Sequence, residues 1–417
     1  MEFIPKYYTH ALSNGLELVA IPLNRGSKVI STNLYVKAGS RNEVLGKTGI
    51  AHMLEHMSFK STTHLKEGEF DQIVKSVGGV DNAATSFDYT HFFIRSANMH
   101  LPTALRLLRE ILGDLALKDE EFQRERKVVY EERLWRVDNN PFGYAYFRLF
   151  NNAYIYHPYH WTPIGFKEDI LNWTIEDIRE FYHTYYVPNN SFLLVAGDIE
   201  PDFFFKEAEK WFGDCHPRPH LPHLHQKEPP LDGDKIVKIE RESKSKLFII
   251  AFPVPPFNHP DILLLDVTSD LLTGGKSGRL IQEFFYKRKM VSNISSYVTD
   301  LKDGGLFIIN GVCNRDQDPL KVAEEVKKFV QNYTPTSKEM EKIRLNNQYD
   351  FLHAFETSSG TASIFGSYLA KGDLKPMLTY YDRVEKLQPS DIGKVKDYFA
   401  KSINILLYTT TSHRGGK

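Results

Sequence analysis

Gly49-Ile-Ala-His-Met-Leu-Glu-His-Met-Ser58 is the stretch from which the architecture of this chain can be inferred. It contains His52, Glu55 and His56 in an H-x-x-E-H pattern, and each residue of an α-helix advances roughly 100° around the axis. A helix therefore places these three side chains on one face, opposite the apolar residues Ile50, Leu54 and Met57. Two imidazoles one turn apart suit tetrahedral zinc, and a carboxylate beside them can take a proton from a water molecule on the metal. We predict a helix that carries part of a zinc site, the alternative being a polar helix face with two histidines by chance.

A third ligand is predicted in the charged segment Asp119–Trp135, which has the composition of a helix. On a helical wheel Glu125 and Glu132 fall on the inward stripe, whereas Glu131 points away from it. The apolar members of that stripe are Phe122, Val128 and Val129. A carboxylate on an inward stripe needs a partner, because burying it unpaired costs on the order of several kcal/mol. That partner is either a metal ion or a guanidinium group, the candidates being Arg124, Arg126 and Arg133.

Several motifs, in this order, resemble the M16 metallopeptidases, which include pitrilysin, insulin-degrading enzyme and the mitochondrial processing peptidase. H-x-x-E-H is the inverzincin signature. The resemblance covers most of the chain and is carried by residues 10–16, 49–56, 78–85, 125–132, 186–190 and 195–198. It implies an α+β fold of two similar tandem domains, each a mostly antiparallel sheet backed by helices. It also implies that His52, His56 and Glu132 bind one Zn²⁺ per chain and that Glu125 orients one of these ligands.

A proline-rich segment divides the chain nearly in half. We predict an N-terminal catalytic zinc-binding domain over residues 1–215, a Pro/His-rich linker over 216–233, and a homologous C-terminal domain over 234–417. The four linker histidines suggest a metal, but an extended tract holds ligand geometry poorly, which favours a solvated linker; they are His216, His220, His223 and His225.

Residues 82–94 follow a Gly-Gly turn and are rich in β-branched and aromatic side chains, which predicts a strand. Small side chains early in this segment would let another backbone approach, as in an edge strand that captures an extended peptide. An ordinary sheet strand is the alternative from the residues alone. The resemblance favours substrate binding and assigns it to Asn82, Ala83 and Thr85.

The second half departs from the family pattern where many members hold the substrate backbone with an Arg and a nearby Tyr. The matching positions are Phe285 and Ser292, which cannot replace that contact; if the local alignment shifts, the substitutes are Arg288 and Tyr297. Single-chain members contain two halves that close around the peptide. We therefore expect this half-length chain to be the catalytic subunit of a heterodimer with a homologous M16 subunit that carries the Arg/Tyr clamp.

The implied activity is that of a zinc-dependent endopeptidase acting on oligopeptides or unfolded segments, with Glu55 as the base that activates water. One alternative is a non-catalytic structural subunit of an M16-type complex, and another is a peptidase dedicated to processing one precursor. The ligand set and the base are all present, which favours the enzyme.

The composition is that of an ordinary soluble protein: 417 residues, 41% hydrophobic and 25% charged, with a net charge of −1. It lacks the basic excess of a nucleic-acid-binding protein. Cys215 and Cys313 have no metal-type spacing and are predicted to be free thiols. No segment predicts a membrane span or a secretory leader. We expect a cytoplasmic protein with no nucleic-acid or membrane partner; since a removed leader would leave the same sequence, the periplasm is the alternative.

Overall fold

The computed structural model describes residues 4–410, which form two β-sheets backed by helices. The strands of the first sheet are β1 Tyr8–Ala11, β2 Glu17–Pro22, β3 Val29–Val36, β4 Val80–Thr85, β5 Thr90–Ala97 and β6 Ser191–Gly197. Those of the second sheet are β7 Lys235–Arg241, β8 Leu247–Val254, β9 Val291–Val298, β10 Gly305–Cys313 and β11 Ile403–Thr409. All neighbouring strands pair antiparallel except β2 with β6 and β7 with β11. The predicted α+β architecture of two mostly antiparallel sheets is confirmed.

Fifteen α-helices lie among the described residues, and several are only one or two turns long. They are α1 Ile50–Met57, α2 Glu69–Ser76, α3 Leu101–Gly113, α4 Asp119–Arg133, α5 Pro141–Ala153, α6 Lys167–Asn172, α7 Ile175–Tyr185, α8 Pro201–Phe212, α9 Asp261–Thr273, α10 Pro319–Asn332, α11 Ser337–His353, α12 Ser358–Lys371, α13 Lys375–Leu378, α14 Tyr380–Glu385 and α15 Pro389–Ile392.

The strand orders are β1-β2-β6-β3-β5-β4 in the first sheet and β7-β11-β8-β10-β9 in the second. β4 and β9 are therefore outer strands. Each is reached from an inner strand by a connection that contains helices: α1 and α2 lie between β3 and β4, and α9 lies between β8 and β9.

The first sheet is covered by helices on both faces. One face of β3 and β6 packs into a core with α1, α3, α7 and α8. On the other face lies α12, where the Tyr35 hydroxyl donates to the carbonyl of Ala362 at 3.4 Å. A Cβ added to Gly366 would stand 2.2 Å from the Tyr35 ring, so only glycine permits this approach. Both faces being covered explains why all of β6 is buried.

The second sheet is sandwiched in the same manner. α9 and α10 contribute to the core on one face, together with Phe248, Ile250 and Phe252 of β8. α5 packs on β8 and β11. The alternating apolar residues of both faces account for the nearly complete burial of β8.

The two compact units do not follow a single cut in the chain. Of the described residues, the first unit comprises 4–133, 161–225 and 351–378, and the second comprises 134–160, 226–350 and 379–410. Compared with the predicted domains 1–215 and 234–417, two segments are exchanged. The reason is packing: α5 covers strands of the second sheet, and α12 covers β3 and β6 of the first. The predicted linker, residues 216–233, contains neither helix nor strand.

Candidate metal centre

The H-x-x-E-H pattern lies on α1, as predicted. The helix buries Ile50, Ala51, Met53, Leu54 and Met57 against the first core. The side chains of the pattern remain half-buried on the opposite face; they are His52, Glu55 and His56. The apolar face thus anchors a short helix that keeps its polar side chains near the surface.

Glu132, near the end of α4, meets the two histidines. Its Oε2 lies 3.7 Å from His52 Nε2 and 3.4 Å from His56 Nε2. One donor atom from each residue lies within 4.8 Å of the other two. Ligands about 2.0–2.2 Å from a tetrahedral zinc ion stand roughly 3.3–3.6 Å apart. The donor set therefore fits zinc in both chemistry and spacing.

The predicted inward stripe of α4 is correct for most of its members. Phe122 and Val129 are buried, and Glu131 is exposed. Val128 was placed on the stripe wrongly, since its side chain is 51% exposed. It lies at the margin of the apolar arc, where a helical wheel cannot tell contact with the core from contact with water.

Glu125 binds His56 through the nitrogen that faces away from Glu132. Its Oε1 lies 2.8 Å from His56 Nδ1, and its Oε2 accepts a hydrogen bond from Lys60 Nζ at 2.8 Å. The neighbouring arginines of α4 bind groups other than Glu125. The Arg124 guanidinium donates to Glu67 and Glu120. The Arg126 guanidinium donates to the carbonyls of residues 171 and 173. Glu125 thus contacts one of the candidate ligands, and the orienting role that the resemblance implies for it stays a prediction.

The charges around His56 change its proton affinity. Burial alone would lower the pKa of His56, but hydrogen bonds with Glu125 and Glu132 outweigh burial and raise the pKa to about 9. Burial would likewise raise the pKa of Glu125, and His56 and Lys60 together lower it. These contacts favour the protonated, charged form of His56.

Glu55 is hydrogen-bonded to the neighbouring strand. The Thr85 hydroxyl donates to Glu55 Oε2 at 2.5 Å. Burial raises the pKa of Glu55 above its usual value, although the bond from Thr85 lowers it. A carboxyl group with a raised pKa suits a residue that both accepts and returns a proton.

The three residues assigned to substrate binding lie on β4, the outer strand next to α1. Their side chains alternate: Asn82 is exposed, whereas Ala83 and Thr85 are half-buried on the other face. Of the three, Thr85 reaches the candidate centre through Glu55, and Asn82 points away from that face. Among residues 4–410, β4 pairs with β5 alone, so its other edge has no neighbouring strand there.

Glu43 and Trp161 belong to the surroundings of the centre and were not predicted. Glu43 accepts hydrogen bonds from the backbone N–H of Gly49 and of Ala51, each at 2.8 Å, and from Trp161 Nε1 at 2.8 Å. Burial raises the pKa of the Glu43 carboxyl to about 8, against the lowering by these donors. The one signal available in the sequence was a helix that starts at glycine with no side chain to cap it.

In the second unit, the positions that lack the Arg/Tyr pair are exposed. Phe285 is 38% exposed on a π-helical turn, and Ser292 is exposed on the outer strand β9. The two possible substitutes contact other groups of the same unit. Arg288 pairs with Glu325, and the Tyr297 hydroxyl is hydrogen-bonded to Tyr146.

Within residues 4–410, one other trio of metal-type donors comes together: His64, Glu110 and Asp114. Arg109 binds Asp114 at 2.5 Å and the Thr62 hydroxyl donates to Glu110, so this trio is held by protein groups. No linker histidine joins a trio in that range. Both cysteines are free, as predicted, and both are buried. Among the described residues, none of the helices has the length and hydrophobicity that a membrane span requires.

Comparison with protein families gives two matches. The model described as Insulinase (Peptidase family M16) matches residues 18–158, and the one described as Peptidase M16 inactive domain matches residues 172–347. The candidate donors and Glu55 lie within the first matched region.

Individual proteins show the same likeness. The zinc protease PqqE of Helicobacter pylori is 40% identical over 405 residues, which are 96% of this chain and 91% of that protein. The probable mitochondrial-processing peptidase subunit beta of Arabidopsis thaliana is 25% identical over 408 residues, covering 95% of this chain and 76% of that protein. A crystal structure of a protease from Helicobacter pylori has a TM-score of 0.94 at 40% identity and covers 97% of this chain and 100% of that chain.

Proposed function

The chain belongs to the M16 family of metallopeptidases, and we propose that it is a zinc-dependent endopeptidase acting on oligopeptides or unfolded segments. The observation that carries the proposal is the meeting of His52, His56 and Glu132, with donor atoms within 4.8 Å, on the face of α1 that also presents Glu55. The name of the 40% identical relative, a zinc protease, supports zinc as the metal.

Each residue of the site has its own role in the proposed hydrolysis. His52, His56 and Glu132 would hold zinc, which would supply a Lewis acid for hydrolysis of the peptide bond. Glu55 accepts the proton of the attacking water and returns it to the leaving amine as the C–N bond breaks. The Thr85 hydroxyl fixes one oxygen of Glu55, and Glu125 holds His56 by Nδ1 so that Nε2 faces the other ligands.

A non-catalytic structural subunit is the alternative from another class. The region that matches the model described as inactive is 172–347, and it contains none of the four residues. All four lie within 18–158, the region that matches the peptidase model. This distribution supports an active enzyme.

For the substrate we propose an extended peptide that adds to the open edge of β4. Main-chain hydrogen bonds would give affinity without demanding a particular sequence. Asn82, Ala83 and Thr85 belong to β4 and would lie beside the bound peptide. A peptidase dedicated to one precursor would use the same edge. Assays with several unrelated unfolded peptides would separate the two, since the dedicated enzyme would cleave none of them.

For assembly we propose a heterodimer in which a homologous subunit supplies the Arg and Tyr missing at Phe285 and Ser292. One relative is itself described as a subunit, the mitochondrial-processing peptidase subunit beta. Co-purification with a homologue lacking H-x-x-E-H, together with a gain in activity, is expected. Full peptidase activity of the purified chain as a homodimer would contradict this assignment.

For location we propose the cytoplasm, with the periplasm as the alternative. Cell fractionation followed by immunodetection separates them, and recovery in the periplasmic fraction would overturn the first choice.

Zinc content is the decisive experiment for the enzyme. Metal-stripped and reloaded wild-type protein is expected to hold about one zinc per chain. Glu132→Ala should lose most of this zinc and its peptidase activity. Glu131→Ala, one position away on the exposed side of α4, is the matched control and should retain both. Folded wild-type protein that takes up no zinc, alone or with a partner, would move the structural-subunit alternative to the front.

A further inference from the structure

The N-terminus of α1 is capped by a side chain from outside the helix. The capping position is Gly49, which has φ 89° and no side-chain acceptor. Glu43, only 3% exposed, takes over: its Oε2 accepts the N–H of Gly49 and its Oε1 accepts the N–H of Ala51. Because Ala51 is the second residue of the helix, this is the bond that an N-cap side chain ordinarily makes.

Trp161 holds Glu43 from the side opposite the helix. Its indole Nε1 lies 2.8 Å from Glu43 Oε2 and 3.1 Å from the carbonyl oxygen of Ser40. Together with the backbone N–H groups of Gly49 and Ala51, the indole gives the Glu43 side chain three N–H partners. The cap is thus fixed to a second segment of the chain as well as to α1.

That second segment, residues 161–173, contacts both helices that carry candidate ligands. The Arg133 guanidinium, next to Glu132 on α4, donates to the carbonyl of Gly165. At the start of α1, Trp173 Nε1 donates to the Thr48 carbonyl at 3.1 Å and the Phe166 N–H donates to the Thr48 hydroxyl at 2.8 Å. The segment therefore ties the beginning of α1 to the end of α4.

We propose that Glu43 is a positioning residue that fixes His52 and His56 relative to Glu132 and so sets the zinc affinity of the site. This inference rests on the zinc peptidase function proposed above. α1 has only eight residues, and a helix this short is marginal by itself. Its placement therefore depends on its apolar face and on its cap. Glu43 is next to none of the ligands and acts through the helix backbone.

The test is Glu43→Gln in the full-length chain, which keeps the size of the side chain but turns one acceptor oxygen into a donor. Zinc affinity measured by competition with a chromophoric chelator should fall roughly tenfold. The rise in Tm on adding zinc should shrink, because weaker binding stabilises the fold less. Against an unstructured reporter peptide, kcat should fall while KM stays unchanged.

Two further variants calibrate this result. Trp161→Phe keeps the carboxylate and removes one donor, so it should change the same quantities in the same direction by less. Glu110→Gln is the matched control: it is another carboxylate of the first unit at 5% exposure, and its partners, Thr62 and His64, lie outside α1. It should leave the zinc-dependent rise in Tm unchanged.

The outcomes separate this inference from the proposed function. Wild-type protein that neither binds zinc nor cleaves peptide refutes the proposed function itself. If the wild-type protein binds zinc and cleaves peptide but Glu43→Gln keeps the wild-type zinc affinity, only the positioning role is overturned. An equal loss of Tm with and without zinc also overturns it, because Glu43 would then stabilise only the fold. If Glu43→Gln does not fold, unchanged zinc affinity in Trp161→Phe overturns the inference.

Discussion

In the first sheet the connection from β3 to β4 passes through α1, and in the second sheet the connection from β8 to β9 passes through α9. The two helices bury similar shares of their residues, five of eight in α1 and nine of 13 in α9, the latter including Thr268 and Ser269. They differ in the polar side chains that remain half-buried, which are two histidines and a glutamate on α1 but three aspartates and a threonine on α9. Among the described residues, the same connection thus carries two members of a candidate metal trio in one unit and none in the other. The difference lies in which side chains the helix presents.

Glu55→Gln tests whether the chemistry depends on the open face of α1. Losing the proton acceptor should lower kcat by at least roughly 10³-fold, while about one zinc per chain remains bound. The measurement combines peptide turnover with elemental analysis. Glu324→Gln, at an exposed position of α10 in the second unit, is the control and should retain full activity. Loss of zinc from Glu55→Gln would show instead that this residue is structural.

Leu406→Ala tests whether the second core is separable from the metal centre. Leu406 is fully buried in β11, and truncating it should cost about 2–5 kcal/mol of the free energy of unfolding. Denaturant unfolding gives that cost, and chelator competition gives the zinc affinity, which should stay at the wild-type value in the folded protein. Leu193→Ala, equally buried in β6, provides the matched cavity in the first core. Weaker zinc binding in Leu406→Ala would show that the second core and the metal centre are coupled.

Glu125→Gln should weaken zinc binding about 10- to 100-fold, since the partner that orients His56 is impaired. The same chelator competition measures it. Glu120→Gln, on the same helix with a side chain that is 88% exposed, is the control. An unchanged zinc affinity would mean that Lys60 is the true partner of Glu125 and that His56 is oriented without it.

The smallest effect concerns His91, which stacks on Tyr35 at 4.0 Å between ring centroids. Desolvation lowers the pKa of His91 to about 3 in the folded chain, below its ordinary value of about 6.5. The unfolded chain therefore binds an extra proton below pH 6.5, and the stability that His91 contributes is lost as pH falls from 6.5 towards 3. The Tm difference between wild type and His91→Gln should shrink on acidification, and His220→Gln in the exposed connector controls for loss of an imidazole. A constant difference would contradict the shift.

The sequence was most informative where one short segment decides the geometry. The helix over residues 50–57 and its two faces follow from periodicity alone, and the same argument placed Glu132 and Glu125 inward on α4. It failed for Val128, because a wheel gives an angle and not the distance to the neighbouring helix. Helix α12 shows a larger gap, since no pattern in its residues indicates which sheet it covers.

The surroundings of the centre were beyond prediction for a related reason. The bond from Trp161 to Glu43 joins residues 118 apart, and neither residue has a local pattern that demands the other. An interaction of this kind becomes visible only when the fold brings the two segments together. Whether Asn82, Ala83 and Thr85 bind a substrate stays a prediction, because only a bound peptide would test it.

The exchange of α5 and α12 between the compact units has a consequence for biosynthesis. A ribosome that has released residues up to 215 has not yet made α12, so the face of β3 that carries Tyr35 is still bare. The first unit can be completed only after residue 378 has emerged, when most of the second unit has also been made. Translation thus completes the two units almost together, and a fragment cut at the linker would leave this face of the first sheet uncovered and open to aggregation.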